Sequence, residues 1–90
     1  MVISIKEYGK SLGTREIGKQ IRNIIVNDEE RTVLDFSDVF IVSNSFSDEI
    51  FGALVAQKGY PYLVNKIKLQ NTNDEVARVI KKAIIDRMKK

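Results

Sequence analysis

The sequence predicts a small α/β sandwich in the order β-α-β-α-β-α, with at least part of its sheet parallel. Three observations carry this. Val2-Ile3-Ser4-Ile5, Thr32-Val33-Leu34-Asp35-Phe36 and Lys66-Ile67-Lys68-Leu69-Gln70 are short, apolar or alternating runs of strand length. Between and after them, apolar residues recur at helical spacing. Strands that alternate with helices favour parallel pairing through right-handed crossovers.

The first run alternates weakly and ends before the turn-prone Tyr8-Gly9-Lys10-Ser11 and Leu12-Gly13-Thr14. Thr14 is placed to cap a helix carrying Ile17, Ile21, Ile24 and Ile25 on one face and Arg15, Lys19 and Arg22 on another, ending near Asn27. The polar run Asn27-Asp28-Glu29-Glu30-Arg31 leads to Thr32–Phe36, whose apolar character suits a buried strand. A second helix is expected from Phe46 to Lys58. Its Phe46, Ile50, Phe51, Ala53, Leu54 and Val55 cover too wide a face for a solvent helix, so it is central or an interface. Gly59-Tyr60-Pro61-Tyr62 breaks it, and Lys66–Gln70 alternates like a half-exposed strand. Thr72 and Glu75 have capping-box spacing ahead of Val76, Val79, Ile80, Ala83, Ile84 and Met88, the stripe of a last helix.

Ninety residues make one domain, residues 1–90, with no room for a second. Hydrophobic residues at 43% and charged residues at 30% place it among globular chains. No apolar run is long enough for a bilayer or a signal peptide, so a cytoplasmic protein is expected. The absence of Cys and His removes thiolate nucleophiles, His general bases, Ser-His-Asp triads and the usual zinc sites. No cofactor is expected. A net charge of +3, from 15 basic and 12 acidic residues, describes a mixed surface and does not by itself indicate nucleic acid.

One region reads as a site. Val33-Leu34-Asp35-Phe36-Ser37-Asp38-Val39 passes into Ile41-Val42-Ser43-Asn44-Ser45-Phe46-Ser47-Asp48-Glu49-Ile50-Phe51: strand, polar turn, helix start. Such a junction exposes unpaired backbone N–H groups and can hold an anion, carry a phosphate or present a partner surface. Ser43, Asn44, Ser45 and Ser47 are all competent caps, and Ser45 has capping spacing to Asp48. The pairs Asp35/Asp38 and Asp48/Glu49 are of a type that binds magnesium or does acid–base work, but a strand end, capping and the helix dipole account for them without a metal. Adjacent on a helix, Asp48 and Glu49 diverge by about 100°, which disfavours a shared ligand. Gly9-Lys10-Ser11 is not a P-loop, because Ser4 stands where that motif needs glycine. Gly9 and Gly13 read as turn residues. Arg78, Lys81, Lys82, Arg87, Lys89 and Lys90 make the last helix basic outside, a solvated face or an acidic-partner contact, with no interleaved aromatics for base stacking.

Leu12-Gly13-Thr14-Arg15, Leu34–Val39, Ser45-Phe46-Ser47-Asp48-Glu49-Ile50-Phe51-Gly52 and Asn71-Thr72-Asn73 together resemble the STAS-like family of small bacterial domains of unknown function. The resemblance covers nearly the whole chain. It implies a STAS-like fold and kinship with anti-sigma-factor antagonists, which work by partner switching: a serine at a helix start is phosphorylated by an ATP-using kinase partner, and the domain is released. Ser45 aligns with that serine, preceded by Ser43 and Asn44. The chain differs in having Phe46 where a small Gly usually follows, and in adding Asp48 and Glu49. A phosphate on Ser45 is expected to meet Asp48 repulsively, acting as a release signal.

The expected function is therefore a non-catalytic regulatory protein-interaction domain, monomer or homodimer, docking through Val42–Phe51. Its implied partner is an ATP-binding kinase of anti-sigma type, with Ser45 as switch, Ser43, Asn44 and Ser47 beside it, and Asp48 and Glu49 as contacts. A nucleic-acid accessory protein using Arg15, Lys19 and Arg22 or the last helix is the alternative.

Overall fold

The computed structural model describes residues 1–9 and 11–89. β1 (Val2–Ser4), β3 (Thr32–Asp35) and β5 (Ile67–Gln70) form a parallel sheet in the order β1-β3-β5, as the alternation of strands and helices predicts. The register sets Ile3 beside Leu34 beside Leu69, and Val2 beside Val33 beside Lys68. The first row belongs to the helix-covered face, where Ile3 and Leu34 are buried; in the second, Val2 and Lys68 are exposed. Helices therefore cover one face of this sheet, which makes two layers.

Four elements go beyond the six expected, the first a 3-10 turn at Ile5–Tyr8 directly after β1. β2 (Ser11–Leu12) and β4 (Ile41–Val42) form a separate parallel pair, Ser11 beside Ile41 and Leu12 beside Val42. A short helix, α3 (Tyr60–Lys66), stands where Pro61 suggested only a break. Gly59, at φ 91°, ends the preceding helix, and Pro61 falls in the first turn of α3, where its missing N–H is no loss. The chain between β3 and β4 turns at Asp38, whose φ of 63° is a left-handed conformation that Asp tolerates. Gly9 also turns, at φ 112°, but Gly13 has no such φ, and Lys10 and Lys90 lie outside the described residues.

α1 (Arg15–Asn27) begins at the expected cap, with Thr14 Oγ1 accepting from Ile17 N at 3.3 Å. α2 is continuous over 44–58: an α-helical start Asn44–Ser47, a π-helical turn Asp48–Gly52 and an α-helical end Ala53–Lys58. It starts two residues earlier than its apolar pattern suggests. Phe46, Ile50, Phe51 and Leu54 are almost wholly buried, so its broad apolar face is core. α4 (Asp74–Met88) is capped by Asn73, whose Oδ1 accepts from Val76 N at 2.7 Å. The expected Thr72–Glu75 box does not form; Glu75 instead pairs with Arg78 at 2.5 Å. Among the described residues, no helix is long and apolar enough to cross a membrane.

Two glycines let the helices close on α2. A Cβ on Gly18 of α1 would lie 2.9 Å from Glu49 Cβ and 3.1 Å from the Phe46 carbonyl. A Cβ on Gly52 of α2 would lie 2.9 Å from Arg87 Cγ on α4. All three distances are below ordinary contact, so backbone and side chain occupy the space a methyl would need.

Candidate functional site

The site grows from the small parallel pair. β2 and β4 end together at Leu12 and Val42, and each strand passes within two residues to a helix cap, Thr14 or Ser43. The first turns of α1 and α2 are therefore brought side by side beyond the carboxyl ends of their strands, where open α/β folds place ligands. Ser43 Oγ accepts from Phe46 N at 3.0 Å, so it is the cap, and the Ser45 hydroxyl is not used for that bond. α4 closes the third side. Arg15, Asn44, Ser45, Asp48, Lys82 and Asp86 line a cleft of about 230 Å³.

An ion network forms its floor. Arg87 grips Asp48 with both arms, Nε to Oδ1 at 2.8 Å and Nη2 to Oδ2 at 2.9 Å, while Arg15 Nη1 approaches Oδ2 at 3.4 Å. Glu49, 8% exposed, faces Arg15 at 3.5 Å and Arg22 at 3.7 Å, and Arg22 also donates to the Glu49 carbonyl at 2.8 Å. Hydrogen bonding from Arg87 first, then its charge and the Arg15 contact, hold the Asp48 carboxyl below the usual carboxylate range, against the opposing effect of partial burial. The same pair raises Arg87. Lys82 pairs with Asp86 at 3.0 Å along α4.

Three arginines thus meet two carboxylates, Asp48 and Glu49, while the charged residues lining the cleft with Ser45 balance, Arg15 and Lys82 against Asp48 and Asp86. The Asp48 carboxylate is matched by its guanidinium partners. Arg15 lies within ion-pair distance of both Asp48 and Glu49.

The run expected to face a partner is divided. Asn44 is exposed, Ser43, Ser45 and Asp48 are half-buried, and Ser47 and Glu49 lie inside. Ser47 is 0% exposed and its hydroxyl has no hydrogen-bond partner among the described residues, so as a surface contact it is corrected: its side chain packs in the core. Glu49 is corrected likewise, since its carboxylate faces Arg15 and Arg22. These two arginines, read as an outward basic face with Lys19, engage α2. Of the last helix's cations, Arg78, Lys82 and Arg87 are ion-paired.

Asp35 and Asp38 take structural places away from the cleft. Asp35 Oδ1 accepts from Asn71 Nδ2 at 2.9 Å, Ser37 Oγ at 2.8 Å and Ser37 N at 3.0 Å, bonds that hold its carboxyl below the usual range. Asp38 lies 3.6 Å from Lys6. Among the described residues, no three acidic side chains are grouped to hold a metal ion. The roles of Arg87 and Lys82 in the cleft escape sequence reading, because Arg87 pairs across 39 positions. Gly52 is the local trace of that approach, as Gly18 is of the approach of α1 to α2.

Residues 17–77 match the family model described as STAS-like domain of unknown function (DUF4325). The chain belongs to this family. The family match runs from Ile17, in the first turn of α1, to the first turn of α4, and so contains Ser45 and both carboxylates but not Arg15, Lys82 or Arg87. No curated protein and no solved structure matches the chain.

Proposed function

We propose that this STAS-like domain is a non-catalytic, cytoplasmic regulatory module that binds a protein partner through the cleft at the start of α2, with Ser45 as a phosphorylatable switch. The partner class is an ATP-using kinase of anti-sigma type, as kinship with STAS antagonists implies. The observation that carries the reading is the setting of Ser45. Its hydroxyl is not consumed by helix capping, it stands at the rim of a cleft, and Arg15 and Lys82 line that cleft with it.

Phosphorylation would place roughly two negative charges at a helix N-terminus, in a cleft also lined by Arg15 and Lys82. Arg15 is the residue best placed to exchange partners, since its contacts with Asp48 and Glu49 are 3.4 and 3.5 Å while Arg87 holds Asp48 independently. A phosphate would draw Arg15 outward and change the shape and charge offered to the partner. Release then follows from a rearranged surface, without any need for repulsion by Asp48.

The test is incubation with ATP and an anti-sigma-type kinase from the same genome, followed by mass spectrometry and size-exclusion chromatography. A phosphate located on Ser45 that dissolves the complex is the expected result. Absence of both the complex and the modification would end the reading. Ser45→Ala should bind the kinase but resist release.

A further inference from the structure

On the side of α4 away from the Ser45 cleft lies a second feature that the switch does not use. Two hollows of about 350 and 460 Å³ share Tyr60, Leu69, Ile80 and Ile84 and form one groove between α3, β5 and α4. Its floor is core: Ile80 is 3% and Leu63 5% exposed. Its walls are unusually open for side chains of their kind, with Met88 at 52%, Val64 at 47% and Tyr60 at 45% exposed. Scattered apolar residues on a surface need no explanation, but a continuous concave set is the mark of a binding groove.

The charges lining it have one sign. Arg31, Lys68 and Lys81 are the charged residues of the two hollows, and none has a carboxylate within ion-pair distance among the described residues. Elsewhere on α4 the cations are matched, Arg78 by Glu75, Lys82 by Asp86 and Arg87 by Asp48. Along the groove α4 offers Ala77, Lys81, Ile84 and Met88, steps of four, three and four residues, about 16 Å or three helical turns.

We propose that this groove docks an acidic amphipathic helix of a partner protein, its apolar stripe on Ile84, Ile85 and Leu69 and its flanking carboxylates on Lys68 and Lys81. The spacing on α4 suits a helix packed alongside it, the mode in which an apolar helix face enters a groove. A second copy of this chain is disfavoured because a two-fold contact sets the same cations against one another. A lipid surface is disfavoured because the groove is concave where a membrane-inserting face would protrude.

The probe is a synthetic peptide of about four helical turns, with leucines at helical spacing flanked by glutamates, compared by fluorescence anisotropy with the same peptide bearing lysines in place of the glutamates. The acidic peptide should bind at least about tenfold more tightly, and the preference should reverse in the Lys68→Glu/Lys81→Glu variant. Ile85→Glu, at a position 39% exposed, should abolish binding while circular dichroism is unchanged. Amide shifts in the unmodified protein should concentrate in β5 and α4, a readout that does not depend on any variant folding. Equal affinity for the two peptides, no binding, self-association that Ile85→Glu removes, or attachment to phosphatidylglycerol vesicles without peptide binding would each overturn the proposal.

Discussion

Asp48 shows how one carboxylate can serve the fold and set the chemistry of a site. It receives both arms of Arg87 and the edge of Arg15, at a quarter exposure, so removal strands two cations rather than one. Asp48→Asn should cost about 2 kcal/mol at neutral pH, in the range of hydrogen bonds to charged groups. The pH dependence has a definite sign. The folded-state value lies below the unfolded one, so the stabilisation is fully present above about pH 4 and is lost as pH falls through the lower folded value. Urea titrations at successive pH values should therefore show wild type and Asp48→Asn converging below about pH 4. The serines make a second contrast. Ser43→Ala removes the bond to Phe46 N and should cost about 1 kcal/mol, while Ser45→Ala should change stability by less than about 0.5 kcal/mol, both read by thermal or urea unfolding. Four polar residues in the run are competent caps by type, and local pattern alone does not select among them. The selection is made by β4, whose pairing with β2 stops the strand at Val42 and leaves Ser43 the next residue.

The elements that were legible in the sequence are those whose periodicity is long enough to speak for itself. α1, α4 and the body of α2 show apolar stripes, and β3 and β5 have strand length and composition, so the family fold could be expected from residues alone. β2 and β4 are two residues each and exist because Leu12 and Val42 meet from 30 positions apart, a contact no local window contains. α3 was hidden by reading Pro61 as a breaker when it stands in a first turn. The start of α2 was displaced because Asn44 and Ser45 carry no apolar signal. The same long-range cause hid Arg87 from the site. Close helix approach, in contrast, leaves a trace in glycine. Gly18→Ala gains helix propensity of about 1 kcal/mol but must push Glu49 Cβ and the Phe46 carbonyl aside, an overpacking cost of about 1–3 kcal/mol. Net destabilisation of about 1 kcal/mol is expected, with α2 displaced from α1. A stabilised Gly18→Ala protein in urea unfolding would mean that the two helices can part without loss.

At the scale of the molecule, α2 is the element on which the others converge: α1 reaches it through Gly18 and the arginines, α4 through Gly52 and Arg87, and its apolar side chains complete the core over the sheet. A chain this short has one core and little redundancy, and total stabilities of about 5–10 kcal/mol are usual for such domains. Leu54, at 0% exposure in the second half of α2, is placed to test whether helices and sheet form one cooperative unit. Leu54→Ala should cost about 3 kcal/mol from lost transfer energy and the cavity left behind. If the unit is single, the slowest-exchanging amides of α2 and of the central strand β3 should accelerate together, each by about a hundredfold, since about 1.4 kcal/mol corresponds to tenfold in the opening equilibrium. The edge strand β5, paired on one side by β3, should keep at least some amides that exchange through local opening and respond little to the substitution. Native-state hydrogen exchange on the two proteins reads all three elements at once. Acceleration confined to α2, with β3 protected as before, would divide the molecule into a helical unit carrying the Ser45 cleft and a sheet able to persist without it. A signal at Ser45 could then be absorbed by α2 alone. Joint acceleration would instead mean that any partner gripping the start of α2 acts on the stability of the entire fold.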